Sequence, residues 1–165
     1  SCASNWRPHK RLKDNIRYFL DFAPKDAVFA IAGGLHMDEA KEILKIDDRI
    51  FLMGDLDYMS LLSLYKKSST FIHLAYLDHC PNVVVDAQAA GCNIVCSSTG
   101  GTSEVVKSGK IIKEQDWDLS PIQLYHPPKM DFSNKTDKFS HQCENKKNNI
   151  VDCSNSYYNV MRGIL

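Results

Sequence analysis

Four short apolar runs, each closed by glycine or polar residues and each separated from the next by a stretch of helical periodicity, constrain the fold of this chain more than any other feature. DAVFAIAGG (26–34), DRIFLMG (48–54), SSTFIHL (68–74) and NIVCSS (93–98) are apolar on both alternations, as strands covered on two faces must be. Ahead of the first, 13–22 places Ile16, Phe19 and Leu20 on one helical face. Stretch 37–45 does the same with Ala40, Ile43 and Leu44, and 57–67 with Leu61, Leu62, Leu64 and Tyr65. A fourth helix over 81–90 opens on Pro81 and is closed by Gly91. Strand, helix, strand repeated at this spacing predicts right-handed crossovers and a parallel sheet with helices on both faces, a Rossmann-like three-layer α/β/α domain.

The 165 residues suit one such domain, with an ordered core over about 1–116. Beyond it, 117–154 loses periodicity and fills with Pro, Asn, Lys and Ser, which predicts an irregular and mobile segment; Asn155 then caps a terminal helix over 155–165 with Tyr158 and Met161 on one face. Twenty basic side chains balance twenty acidic ones, so no nucleic-acid partner is expected. The absence of a run long enough to span a bilayer, and of a signal peptide, predicts a cytoplasmic location. Six cysteines at irregular spacings, with no CxxC, read as thiols of a reducing compartment. The nearest approach to a metal set is His79, Cys80, Cys92 and Cys96, and no metal is expected there; His141 and Cys143 are discounted with them.

Chemistry concentrates in FIHLAYLDHCPNVVVDAQAAGCNIVCSSTGGTSEVV, 71–106. Two acids, Asp78 and Asp86, stand eight positions apart across the change from strand to helix. At the carboxyl end of a parallel strand the opening turn of the following helix offers free backbone N–H groups to an anion. Asp86 lies inside an apolar helix and needs a partner, whereas Asp78 also suits a strand end or a helix cap. His73, in an apolar strand, reads as a satisfied core histidine, and His79 beside Asp78 as a residue able to touch a ligand. The pairs Gly33–Gly34 and Gly100–Gly101 either turn the chain or admit a ligand close to the backbone. No GxGxxG follows a first strand, which disfavours a dehydrogenase.

In their order, a Lys/Arg-rich entry (NWRPHKRLK), a strand ending in AGG, a strand ending in Gly54 before a Leu-rich helix, DHCPNVVVD and the Gly-Gly loop resemble the carboxyl-terminal, donor-binding half of GT-B glycosyltransferases. The resemblance covers about 1–112 and is to retaining family 4, the glycosyl transferases group 1. Aspartates stand where that family usually has glutamates, and Asn93 where it often has proline. The resemblance implies a hexosyltransferase that moves a sugar from a nucleoside diphosphate sugar to an acceptor hydroxyl, with retention and without metal or cofactor. It also implies an amino-terminal acceptor-binding domain outside this chain, so that the chain alone is inactive and reaches a membrane only through that other half.

By the same resemblance the pyrophosphate is neutralised from the set Arg7, Lys10, Arg11 and Lys13, with Arg7 and Lys10 foremost, aided by the N–H groups of Asn82 and Val83. Asp86 then accepts from ribose, Asp78 from the transferred sugar with His79 nearby, Gly33 and Gly34 admit the ligand, and the base rests against 51–54 at Met53. Asp78, Arg7 and Lys10 are thus the catalytic candidates. Two other classes remain open: a GT-B epimerase or phosphorylase, and a non-catalytic binding domain that retains the fold.

Overall fold

A computed structural model describes residues 1–114 and 126–132. Six parallel strands alternate with helices: β1 (Cys2–Ala3), α1 (Leu12–Phe22), β2 (Phe29–Ala32), α2 (Met37–Leu44), β3 (Ile50–Gly54), α3 (Tyr58–Lys67), β4 (Thr70–His73), α4 (Asn82–Ala89), β5 (Asn93–Ser97), α5 (Thr102–Val105) and β6 (Gly109–Ile112). The four expected strands and four expected helices are present, their ends within three residues of the expected ones. Two strands escape a reading of periodicity: β1 has only two residues, and β6 reads GKII with half its positions exposed. The terminal helix predicted over 155–165 and most of 117–154 lie outside the described residues. Residues 126–132 carry neither helix nor strand and lie against α1, with Met130 buried and Phe132 edge-on to Tyr18.

The strands form two ladders, β1-β2-β3 and β4-β5-β6. Ser1 joins them: its carbonyl accepts from Ile72 N–H at 2.9 Å and its nitrogen donates to the Thr70 carbonyl at 2.8 Å. The resulting order, 3-2-1-4-5-6, is that of a doubly wound nucleotide-binding sheet, whose strand order reverses between β1 and β4.

Alternation along the strands divides the core in two. Phe29, Ile31, Ile72 and Val95 pack with Leu12, Ile16 and Phe19 of α1 on one face; Ala32, Phe71, Ile94 and Cys96 pack with Tyr65 of α3 and Val84 and Ala87 of α4 on the other. Phe19 stacks on Phe29 at 4.8 Å and Tyr65 meets Phe71 edge-on at 5.2 Å, burial that contributes about 1.5–3 kcal/mol per ring. Helix ends follow local chemistry. Asp57 caps α3 by accepting from Ser60 N–H at 3.0 Å. Gly91, at φ +99°, ends α4 with Gly91 N–H bonded to Gln88 O and Cys92 N–H to Ala87 O, a Schellman closure.

Asn15 is buried on α1 and bridges both sides of the strand-order reversal. Its amide donates to the carbonyls of Lys10 (3.1 Å) and Arg11 (2.8 Å), and its oxygen accepts from Leu74 N–H at 3.2 Å. Asn15→Ala leaves the Lys10 carbonyl and the Leu74 N–H without a partner, while the Arg11 carbonyl keeps its helical bond from the N–H of residue 15, so urea unfolding should show a loss of about 2–4 kcal/mol. A loss under about 0.5 kcal/mol would mean that the bridge carries no load.

Candidate functional site

Leaving β4, the chain runs through buried Leu74 and Ala75, turns at Leu77 in the left-handed region (φ +53°), and presents Asp78 ahead of α4. Both partners of that carboxylate reach the same oxygen: Lys10 Nζ forms an ion pair with Oδ2, and His73 Nε2 donates to it at 3.0 Å. Oδ1 has no partner among the described residues. The Gly100–Gly101 turn holds the loop from behind, with Gly101 N–H donating to Asp78 O at 2.9 Å and a parallel bridge between residues 78 and 100. A Cβ at Gly100 would lie 2.5 Å from Asp78 O, and one at Gly101 2.0 Å from His79 O. These glycines therefore bring two backbones together, a use that neither the turn nor the ligand reading anticipated.

Lys10 is placed by its neighbours. It ends a 3-10 turn, Pro8–Lys10, and Arg11 follows at φ +52°, a conformation costing roughly 1 kcal/mol for a residue with a Cβ. The buried Arg11 guanidinium holds that geometry by donating to Pro128 O at 2.7 Å and to Leu74 O at 3.4 Å, and by an ion pair with Glu114 Oε1 at 2.7 Å, while stacking over Tyr76. Glu114 in turn accepts from Ser97 Oγ and from Thr99 Oγ1 (3.0 Å). Tyr76 N–H donates to His9 O at 2.7 Å, which fastens the 3-10 turn to the β4 loop directly.

A cavity of about 370 Å³, lined by none of these cluster residues, opens at the carboxyl ends of β1, β2 and β3. Its walls include Ser4 and Asn5 after β1, Gly33 and Gly34 after β2, Asp55 after β3 and Val83 of α4. Gly33 is at φ +111°, and a Cβ there would sit 1.9 Å from Ser4 O. The N–H groups of Asn82 and Val83 open α4 with no acceptor among the described residues, and Pro81 supplies no side-chain cap. Asp86 lies half-buried on α4, and its carboxylate has no partner among the described residues. Arg7 is exposed at the start of the 3-10 turn, and His79 is exposed beside Asp78. Met53 is the extra residue where the β2–β3 register shifts, is 43% exposed, and does not line the cavity.

The geometry thus unites Lys10 with Asp78, and Gly33 and Gly34 with Val83, and leaves Met53 apart from both groups. Sequence reasoning passed over Asn15, Glu114 and Asp55, weighed Arg11 only as a phosphate partner, and gave His73 no function. The polar Asn15 on the apolar face of 13–22 was a readable signal; the pairing of Arg11 with Glu114, more than a hundred residues on, was not. His79 and Cys80 are exposed, Cys92 Sγ donates to the carbonyls of Tyr65 and Ser68, and Cys96 is buried, so these four do not converge. Burial pushes the Cys2 thiol up to about 12 and that of Cys96 up to about 11, so neither is a thiolate at neutral pH.

Burial alone would raise the Asp78 carboxyl, but the hydrogen bonds from His73 and Lys10, together with the Lys10 charge, outweigh it and hold the group well below the usual carboxylate range. Burial likewise lowers His73, against the pull of Asp78, so the ring is neutral and donates through Nε2–H. The signs agree. Asp78 contributes stability that is complete above about pH 4 and is lost as pH falls toward its depressed folded value. Below about pH 6.5 the unfolded imidazole takes a proton that folded His73 refuses, which again favours unfolding. Urea midpoints measured from pH 7.5 to 3 should therefore fall less steeply between 6.5 and 5 in His73→Gln than in the wild type, and less steeply below 4 in Asp78→Asn. Parallel curves for all three proteins would count against this account of the cluster.

Residues 2–120 match the family described as glycosyl transferases group 1. A search of curated proteins returns no match. Among solved structures, HepE of Anabaena in complex with UDP-glucose is 20% identical with a TM-score of 0.58, over 70% of this chain and 34% of that one. AviGT4, a glycosyltransferase involved in avilamycin A biosynthesis, is 16% identical with a TM-score of 0.55, over 71% and 37%. WaaG, a glycosyltransferase involved in lipopolysaccharide biosynthesis, is 15% identical with a TM-score of 0.55, over 69% and 33%. The chain spans about a third of the length of these structures. With the matched family covering most of its length and the GT-B glycosyltransferases sharing its sheet and helices, the chain belongs to the glycosyl transferases group 1.

Proposed function

We propose that this chain is the donor-binding domain of a retaining, metal-independent glycosyltransferase that moves a hexosyl group from a nucleoside diphosphate sugar to an acceptor hydroxyl. The observation that carries the reading is Asp78, held through Oδ2 by His73 and Lys10 at the strand-order reversal with Oδ1 left to a ligand. The pyrophosphate lies against the opening turn of α4, where the N–H groups of Asn82 and Val83 and the positive helix end receive it. Lys10, and Arg7 swinging in from solvent, neutralise the charge that grows on the leaving diphosphate as the glycosidic bond breaks; a bound metal is not needed for that task. Asp86 accepts from ribose hydroxyls, and Gly33 and Gly34 let the nucleoside approach the backbone. Held ionised by two donors, Asp78 is a poor general base and acts by accepting from a hydroxyl of the transferred sugar, with His79 beside it. The acceptor binds a separate amino-terminal domain in the cytoplasm, any membrane contact is made through that domain, and this chain alone transfers nothing.

Calorimetric titration of the chain with UDP, GDP and ADP tests the donor site, and silence from all three at millimolar concentration removes it. Lys10→Met should weaken the bound nucleotide about ten- to a hundredfold, the worth of one charge-assisted contact. In the full-length protein Asp78→Asn should leave nucleoside diphosphate affinity within about threefold of wild type while slowing transfer about a hundredfold or more, because its contact is to the sugar. Equal losses in binding and turnover would place Asp78 at the nucleotide instead.

A further inference from the structure

Asp55 stands at the wall of the 370 Å³ cavity farthest along the sheet from the Lys10–Asp78 cluster. In the order 3-2-1-4, its strand lies three spacings from β4, roughly 14 Å at the usual separation of neighbouring strands. A nucleoside diphosphate whose phosphates rest on the opening of α4, and whose ribose is held by Asp86, therefore carries its base toward β3. The side chain waiting there is a carboxylate with a fixed orientation: Asp55 Oδ1 accepts from Gly34 N–H at 2.7 Å, and Oδ2 lies so close over Gly34 that a Cβ on that residue would be 2.9 Å away. Each carboxylate oxygen accepts two hydrogen bonds, so Oδ1 keeps one site and Oδ2 keeps both; neither meets another partner among the described residues.

An ionised carboxylate only accepts, and it matches a base edge that offers two adjacent donors. Guanine has one, the N1–H and the 2-amino group. Uracil offers a single N3–H between two carbonyl oxygens, each of which would face the carboxylate. Adenine and cytosine place an acceptor ring nitrogen beside their exocyclic amine. The mismatched bases leave acceptor against acceptor in a partly enclosed site, which is costlier than a missing contact.

We propose that Asp55, oriented by the Gly34 amide, reads the Watson–Crick edge of the base and selects guanine, so that the donor is a guanosine diphosphate sugar. The inference rests on the donor-site reading above. Glycine at 34 then has a definite use: any side chain there pushes Asp55 off its amide.

Parallel calorimetric titrations of the chain with GDP, IDP, UDP and ADP test it. GDP should bind at least tenfold tighter than UDP or ADP, and IDP, which lacks the 2-amino group, should fall between them. Asp55→Asn, at an exposed position with little to lose in folding, should weaken GDP and bind UDP at least as tightly as the wild type does, so that the two converge. Gly34→Ala, at a backbone conformation that alanine accepts, should weaken GDP in the same selective way. UDP or ADP binding as tightly as GDP overturns the proposal while leaving the donor site standing. So does an Asp55→Asn variant with unchanged GDP affinity, or one that weakens all four ligands equally. Binding by none of the four overturns both readings.

Discussion

Two hydrogen bonds between Ser1 and β4, one at Ile72 N–H and one at the Thr70 carbonyl, join two three-stranded ladders into one sheet, and the candidate site depends on that join. From it the chain crosses over toward β2 and β3 on one side and toward β5 and β6 on the other, so the loops leaving β1 and β4 diverge and a crevice opens between them. The β1 loop carries Lys10 and the β4 loop carries Asp78, so their ion pair spans the crevice at its base. Asn15 and the Tyr76–His9 backbone bond repeat the same connection at neighbouring points.

Buried charge is costly unless its donors and acceptors find partners, and the ion pairs at this crevice meet most of that need, Arg11 Nε being the buried donor without a hydrogen bond. Arg11 and Glu114, both nearly inaccessible, surround their contact with two backbone carbonyls and two hydroxyls. That inner pair is structural: it holds the strained Arg11 backbone and thereby aims Lys10. The outer pair, Lys10 with Asp78, retains partial exposure of both side chains and one carboxylate oxygen without a partner among the described residues. A rigid inner network behind a partly satisfied outer one is an economical way to orient groups toward a ligand, since the ordering of the side chains is complete before it arrives.

Glycine chemistry in this fold is mostly about backbone meeting backbone. Gly33 clears Ser4, and Gly100 and Gly101 clear the Asp78–His79 loop, each at a separation that a Cβ would close. Gly34 differs, because its near neighbour is the Asp55 carboxylate, a flexible side chain whose position the glycine decides.

Local pattern alone determined the α/β class, the four strands β2 to β5, the four main helices and the segment carrying both acids, because a strand buried on two faces and a helix buried on one leave signatures within ten residues. Pro81 and Gly91 even marked the limits of α4. Periodicity has no purchase on a two-residue β1 or a half-exposed β6, and no local signal joins Arg11 to Glu114, Lys10 to Asp78 or Asp55 to Gly34. Those contacts are decided by the strand order, which brings distant loop ends to one edge of the sheet. Only the folded chain could therefore show that His73 is satisfied by Asp78, that Gly100 and Gly101 hold the acid in place, and that Met53 stands outside a cavity where Asp55 faces in.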